Sequence, residues 1–158
     1  MMVKVLLICI SIRHGNTLRI AESMAEVTGA EILKPSDVDE KVITNYDIIG
    51  LGSGIYYGKH HKSLFKLLDK LELKRKPVFI FYTSGAPKIP LLNSCDEALK
   101  KALKRKGSNV IGVFGCRGFS DYGPLKLIGG IHRDRPNEED LEKSKKFIAK
   151  IIETYGKL

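Results

Sequence analysis

The sequence predicts an α/β fold: a doubly wound, five-stranded parallel sheet with helices on both faces. Three observations carry this expectation. Apolar runs alternate with amphipathic stretches along the chain, and right-handed crossovers then place the helices on both sides of a parallel sheet. The apolar runs at residues 3–10 and 77–82 are nearly continuous, as strands covered on both faces require. Four of the strands are followed by polar, glycine-bearing stretches, which sets one rim of the sheet apart from the rest. The 158 residues show no internal repeat, low-complexity segment or linker, so a single domain spanning 1–158 is expected.

Residues 3–10 (VKVLLICI) form the first strand. From Asn16 to Thr28, Ile20, Ala21, Met24, Ala25 and Val27 make a helical stripe, and Gly29 supplies a left-handed stop. A short strand at Glu31–Leu33 ends before Pro35, and residues 36–45 are too short for a helix to be assigned. Residues 46–51 (YDIIGL) give the third strand. Leu64, Leu67, Leu68 and Leu71 follow at i, i+3, i+4 and i+7, an apolar helix face. Residues 77–82 (PVFIFY) are β-branched and aromatic, hence a fourth strand. Ser94 with Glu97 suggests a capping box for a helix that buries Ala98, Leu99, Ala102 and Leu103 and closes at Gly107. Residues 109–114 are the fifth strand. Asn137 with Asp140 caps a last helix whose apolar stripe is Leu141, Ile148, Ile151, Ile152 and Tyr155.

The functional reading concentrates on the stretches after the strands, because ligands of open α/β sheets bind outside the carboxyl ends of the strands. These stretches are SIRHGNT (11–17), GSGIYYG (52–58), TSGAP (83–87) and CRGF (116–119). The first has one glycine, not the G-x-G-x-x-G of a dinucleotide loop, and it lacks the Walker G-x-x-x-x-G-K-[ST] pattern. What it offers is Ser11, Asn16 and Thr17 as side-chain donors, with the backbone amides of residues 13–17 at a helix N-terminus and the charge of Arg13. Hydroxyls and amides around one small anion suit a terminal monophosphate.

Here the sequence resembles a known family. S-x-x-x-G-N-T after an apolar first strand is similar to the phosphate loop of flavodoxins, usually T-x-[ST]-G-x-T. Y-D-I-I-G-L-G-S-G-I-Y-Y-G is similar to their second loop, with F-Y-T-S-G and G-C-R-G following in the expected order across nearly the whole chain. The resemblance implies strand order 2-1-3-4-5 and bound flavin mononucleotide (FMN). Ser11, Ile12, Arg13, His14, Gly15, Asn16 and Thr17 would hold the phosphate. Ser53, Gly54, Ile55, Tyr56, Tyr57 and Gly58 would line one side of the isoalloxazine, with Thr83, Ser84, Gly85, Cys116, Arg117 and Gly118 on the other. A flat apolar tricycle wants such walls and a few backbone hydrogen bonds. Tyr56 and Tyr57 are the best stacking candidates, the alternative being that they cover the sheet edge, and either Gly54 or Gly58 would let a peptide turn toward the ring. Arg13-His14 stands where the family usually has small hydroxyl residues, which makes the pocket more positive. Residues 116–136 make a long connection starting at the rim; Arg117, Phe119 and Tyr122 would cover the ring, form a substrate or partner surface, or belong to a structural meander.

The implied activity is electron transfer through FMN, with no catalytic side chain and a partner that is acidic or neutral at its docking patch. The alternative is an FMN-dependent oxidoreductase of the same fold, acting on a quinone or porphyrinogen-type small-molecule substrate; a third class is a flavin-free binding module. The remaining features point elsewhere than to chemistry. Three cysteines without paired spacing suggest a reducing, cytoplasmic setting, Cys9 being core and Cys95 lying in the first turn of a helix. His60 and His61, read as neighbours on a helix, point too far apart to share a metal, so no metal site is expected and a solvent-facing or ring-adjacent role is. The net charge of +9 comes largely from Lys70, Lys74, Arg75 and Lys76 and from Lys100, Lys101, Lys104, Arg105 and Lys106. These sit at helix C-termini, favoured there by the helix dipole and far from the rim, so nucleic acid is not the expected partner. No stretch is apolar enough for a membrane span.

Overall fold

A computed structural model describes residues 2–12, 15–56, 59–85, 95–118 and 135–156, with the backbone alone for Tyr56. The elements run β1 (Val5–Ile10), α1 (Asn16–Thr28), β2 (Glu31–Leu33), a 3-10 turn (Pro35–Asp37), α2 (Glu40–Ile43), β3 (Ile48–Tyr56), β4 (Lys59–His60), α3 (Lys62–Lys70), β5 (Pro77–Ser84), α4 (Glu97–Arg105), β6 (Asn109–Arg117) and α5 (Glu138–Tyr155). The main sheet is parallel in the order β2-β1-β3-β5-β6. That is the expected 2-1-3-4-5 order with one addition: β4 is a two-residue antiparallel strand that folds back on the end of β3.

Alternate residues of each strand feed two cores, which is why the apolar runs are continuous. Val5, Leu7, Cys9, Phe79 and Phe81 pack under α1 and α5 with Ile20, Met24 and Ile148. Leu6, Ile8, Ile49, Leu51, Val78 and Ile80 face α3 and α4, meeting Leu64, Leu67, Leu68, Leu99 and Leu103. Burying each such leucine or isoleucine is worth about 1.5–3 kcal/mol. A polar seam joins α1 to α5, where the Ser23 hydroxyl donates to the Leu141 carbonyl at 3.1 Å and Ser144 donates to Ser23 at 3.2 Å.

Several expectations shift in detail. β3, β5 and β6 run on to Tyr56, Ser84 and Arg117, so much of what reads as loop is strand end. The glycines explain this, because they seat aromatic rings of the next strand. A Cβ on Gly52 would lie 2.1 Å from the Phe81 ring, and one on Gly115 would lie 2.2 Å from the Tyr82 ring. Val27, counted in the buried stripe of α1, is 52% exposed because it lies past the edge of the face covered by the sheet. Residues 36–45 hold the 3-10 turn and α2, which Asp39 caps by accepting from the Val42 amide at 2.9 Å. The N-cap of α4 is Asp96, with no side-chain cap bond, so Glu97 is the first helical residue and not the third position a capping box needs; Ser94 lies outside the described residues. The box at Asn137 and Asp140 is formed, and Gly29 and Gly107 take the left-handed conformation at φ 68° and 74°. Among the described residues, no helix is long and apolar enough to cross a membrane.

Candidate functional site

The strand order reverses direction between β1 and β3, since β1 leads through α1 to β2 on one side while β3 lies on the other. Such a switch point opens a crevice at the carboxyl ends of the strands. α1 begins there. Its N-cap is Gly15 in the left-handed conformation at φ 65°, which has no side chain to cap it, and no acidic residue stands in its first turn. By contrast, α2, α3 and α5 are each capped by their own Asp39, His61 and Asn137. The start of α1, with Ser11 and Asn16 on either side of it, thus lies at the crevice, where the positive end of the helix dipole falls.

Three contacts hold this start and the neighbouring strand ends together, two of them made by α1 itself. The Thr17 and Thr83 hydroxyls lie 2.8 Å apart, both side chains buried, joining α1 to the end of β5. The Gly118 amide donates to the Ser84 carbonyl at 3.2 Å, joining the ends of β5 and β6. Asn16 packs on Gly118 so closely that a Cβ there would come within 2.7 Å of its side-chain nitrogen. Ser11, Ile12, Gly15, Asn16, Thr17, Thr83, Ser84, Gly85, Cys116, Arg117 and Gly118 therefore lie along one rim, with Gly54 beside Thr83 in the β3–β5 register. Arg13, His14, Tyr57 and Gly58 lie outside the described residues, as do the Tyr56 side chain and residues 119–134 with Phe119 and Tyr122.

The residue pattern of the flavodoxin domain matches residues 7–128. The chain belongs to the flavodoxin family. The chain is also 45% identical over 150 residues to the uncharacterised protein MJ0298 of Methanocaldococcus jannaschii, covering 94% of this chain and 98% of that one. Among solved structures, the fold is similar to a flavodoxin from the domain Archaea (TM-score 0.71, 16% identity, covering 97% of this chain and 99% of that one). It is equally similar to oxidised Flavodoxin 2 from Bacillus cereus (TM-score 0.71, 19% identity, 96% and 99% covered). A third likeness is general stress protein 14 of Treponema denticola, solved in complex with FMN (TM-score 0.66, 13% identity, 94% and 99% covered).

In this flavodoxin-family chain the turn from β3 to β4 has an internal anchor that the sequence did not reveal. Ser53 is fully buried. Its hydroxyl lies 2.7 Å from the Gly54 carbonyl, accepts the His61 amide at 3.0 Å, and lies 3.0 Å from His60 Nδ1. His60 and His61 are thus not a helical pair. His60 belongs to β4, is 3% exposed, and stands edge-on to Tyr82 with ring centroids 5.8 Å apart. His61 is the N-cap of α3, its Nδ1 accepting the Ser63 amide at 3.1 Å. The signal was the period-two alternation in G-S-G-I, which carries Ser53 inward, but the added antiparallel strand that brings His60 to it left only a two-residue trace.

Burial sets the protonation of the site. It lowers His60 to about 4 against a smaller opposing pull from Asp96. It raises Cys116 to about 12, with Asp140 adding to the effect, so this rim cysteine is a neutral thiol. Tyr82 is pushed up to about 12, first by burial and then by Cys95, and stays a phenol. Cys9 is core, as expected. Cys95 is buried in the turn ahead of α4 and not in the helix's first turn. Among the described residues, no three His, Cys, Asp or Glu side chains converge as metal ligands would. The basic clusters fall at the opposite pole, where α3 and α4 end beside the starts of β5 and β6.

Proposed function

We propose that this chain binds FMN at the switch-point rim and works as a redox protein that passes electrons through it. One observation carries the reading: α1 starts at the crevice between β1 and β3 with a glycine N-cap that supplies no cap side chain and with no acidic residue in its first turn. α2, α3 and α5 satisfy an amide with their own cap side chain, whereas α1 and α4 do not; α4 has Glu97 in its first turn and α1 has no acidic residue there, which favours a bound anion at α1. The donor set fits a phosphate monoester. Ser11, Gly15, Asn16 and Thr17 supply hydroxyl, amide and backbone N–H groups, with Ile12, Arg13 and His14 in the same segment. The Thr17–Thr83 pair shares one proton between its oxygens, which leaves the second hydroxyl proton for an acceptor. The likeness to proteins described as flavodoxins, and to one solved with FMN, supports the same choice.

In this reading the hairpin residues Ser53, Gly54, Ile55, Tyr56, Tyr57 and Gly58 form one wall for the ring, and Thr83, Ser84, Gly85, Cys116, Arg117 and Gly118 form the other. When bound, FMN supplies a tricycle that takes up and releases electrons. The chain's own part is to hold the phosphate, orient the ring, exclude water from one face and set the local charge. Arg13 and Arg117 make that charge positive. The redox partner is accordingly acidic or neutral where it docks, and the fully reduced state of the cofactor is favoured relative to flavodoxins with acidic pockets. A reducing, cytoplasmic setting belongs to the same reading, as does a single domain over residues 1–158.

An FMN-dependent oxidoreductase acting on a quinone or porphyrinogen-type substrate is the second reading. It is favoured by residues 118–137, which leave the rim between β6 and α5, a length of chain that a substrate needs for walls and an electron does not. The absorption spectrum of the purified protein tests the shared premise, since the bands of oxidised flavin should appear, or should appear after addition of FMN. Turnover with quinones would then select the enzyme; reduction and reoxidation only through a protein partner would select the carrier. A colourless protein that takes up no FMN would refute both.

A further inference from the structure

We infer that His60 is a positioning residue for the ligand-facing hairpin: a neutral imidazole with its proton on Nδ1, which anchors Ser53 and, through Ser53, the backbone on both sides of the β3–β4 turn. Its bearing on ligand binding rests on the FMN reading above, while the anchor itself does not.

The proton count assigns the tautomer. A serine hydroxyl has one proton and two lone pairs. The His61 amide donates to Ser53 at 3.0 Å and takes one lone pair. The Gly54 carbonyl, 2.7 Å away, can only accept, so the hydroxyl proton goes there. His60 Nδ1, at 3.0 Å, is left facing the second lone pair and must donate. The chain Nδ1–H to Ser53 to Gly54 carbonyl is then continuous, and each bond polarises the next. This leaves Nε2 as a bare lone pair, and Nε2 is the buried side-chain atom with no hydrogen-bond partner among the described residues. A bare acceptor is the less costly of the two ways to leave that atom, since orphaned buried N–H groups are rarer.

The placement says what the anchor does. Ser53 is the last β3 residue paired to β1, and Gly54 is the last paired to β5. Beyond them, among the described residues, β3 pairs with β4 alone, through Ile55 opposite His60 and Tyr56 opposite Lys59. A two-residue antiparallel strand is marginal on its own. The Ser53 hydroxyl bridges both arms of the hairpin, Gly54 on one and His61 on the other, and His60 fixes that hydroxyl from inside. A buried polar ring with one unsatisfied nitrogen packs no better than phenylalanine and costs more to desolvate, so its contribution lies at Nδ1.

The test uses the full-length protein with nitrogen-15 histidine and three versions: wild type, His60→Phe, which keeps ring volume, and His60→Asn, which keeps a donor near the Nδ1 position. Long-range proton–nitrogen correlation at neutral pH should show His60 of the wild type as the Nδ1–H tautomer; an Nε2–H tautomer overturns the assignment. The His61 amide should exchange about 5–10-fold faster in His60→Phe and return toward the wild-type rate in His60→Asn, as expected for one hydrogen bond. FMN should bind about 5–10-fold more weakly to His60→Phe, with His60→Asn within about twofold of the wild type. A role in packing alone would leave the Phe variant unchanged in both measurements, and that result overturns the proposal. If the wild type takes up no FMN, the functional reading fails, while the tautomer and the His61 exchange rate still decide the anchor.

Discussion

Acid should weaken this fold through His60, and the size of the effect follows from where that ring sits. The imidazole is 3% exposed and faces Ser53 on β3, Tyr82 on β5 and the carboxylate of Asp96 ahead of α4. Burial lowers its pKa from 6.5 to about 4, and the attraction of Asp96 only partly offsets this. In the unfolded chain the same histidine takes up a proton near pH 6.5. Between those two values the unfolded state holds more protons than the native state, so stability falls as pH falls. His60's contribution is fully present above about pH 6.5, declines through the window down to about 4, and levels off below it. At 1.36 kcal/mol per unit, the full loss is about 3 kcal/mol. The assay is urea unfolding of wild type and His60→Phe across that window. Their difference in unfolding free energy cancels every other titrating group, and it should shift against the wild type by about 3 kcal/mol from pH 7 to 4. A difference that stays flat with pH would show that His60 is charged or accessible in the native state, and the reasoning from burial would fail.

Three further outcomes follow from the packing and the caps. Gly52→Ala should destabilise by about 1–3 kcal/mol, because its Cβ would meet the buried Phe81 ring at 2.1 Å; thermal unfolding should fall by several degrees, and an unchanged midpoint would contradict the fit. Thr17→Val should cost about 1–3 kcal/mol by stranding the buried Thr83 hydroxyl, and the double variant with Thr83→Val should cost less than the two single changes added together. Asn137→Ala should remove about 1 kcal/mol of cap energy from α5 in chemical unfolding. There burial alone would raise Asp140, but the Arg135 guanidinium, at 2.5 and 2.7 Å, and the Asn137 backbone amide hold its carboxyl below the usual range; Asn137→Ala keeps that amide, so its loss should not grow as the pH falls.

Most of the fold was legible because its determinants are local. The continuous apolar runs give parallel strands, the leucines of α3 give a stripe, and Gly29 and Gly107 take the left-handed conformation that ends or follows their helices. What escaped depends on contacts between distant segments. Gly52 reads as a loop former and Gly50 as an ordinary strand residue, yet with Gly115 they receive rings from residues 79, 81 and 82, which only the register of β3, β5 and β6 reveals. The rim was legible as a set of positions, since among the described residues Ser11, Ile12 and Gly15 to Thr17 converge with the end of β5 and the end of β6. The bonds that hold it together, Thr17 to Thr83 and Gly118 to Ser84, link residues far apart in sequence and left no motif. Ser53 reads as a ring-lining position, and the sequence alone does not show that its side chain is anchored to a histidine whose strand is two residues long.

The central claim, that the start of α1 receives a terminal phosphate, is tested most directly by titrating the protein with FMN and with riboflavin, which carries the same ring without the phosphate, and following the flavin fluorescence. FMN should be quenched on binding at least tenfold more tightly than riboflavin, with inorganic phosphate weakening FMN alone. Equal affinity for the two, or no binding of either, would mean that the amides of α1 hold no phosphate.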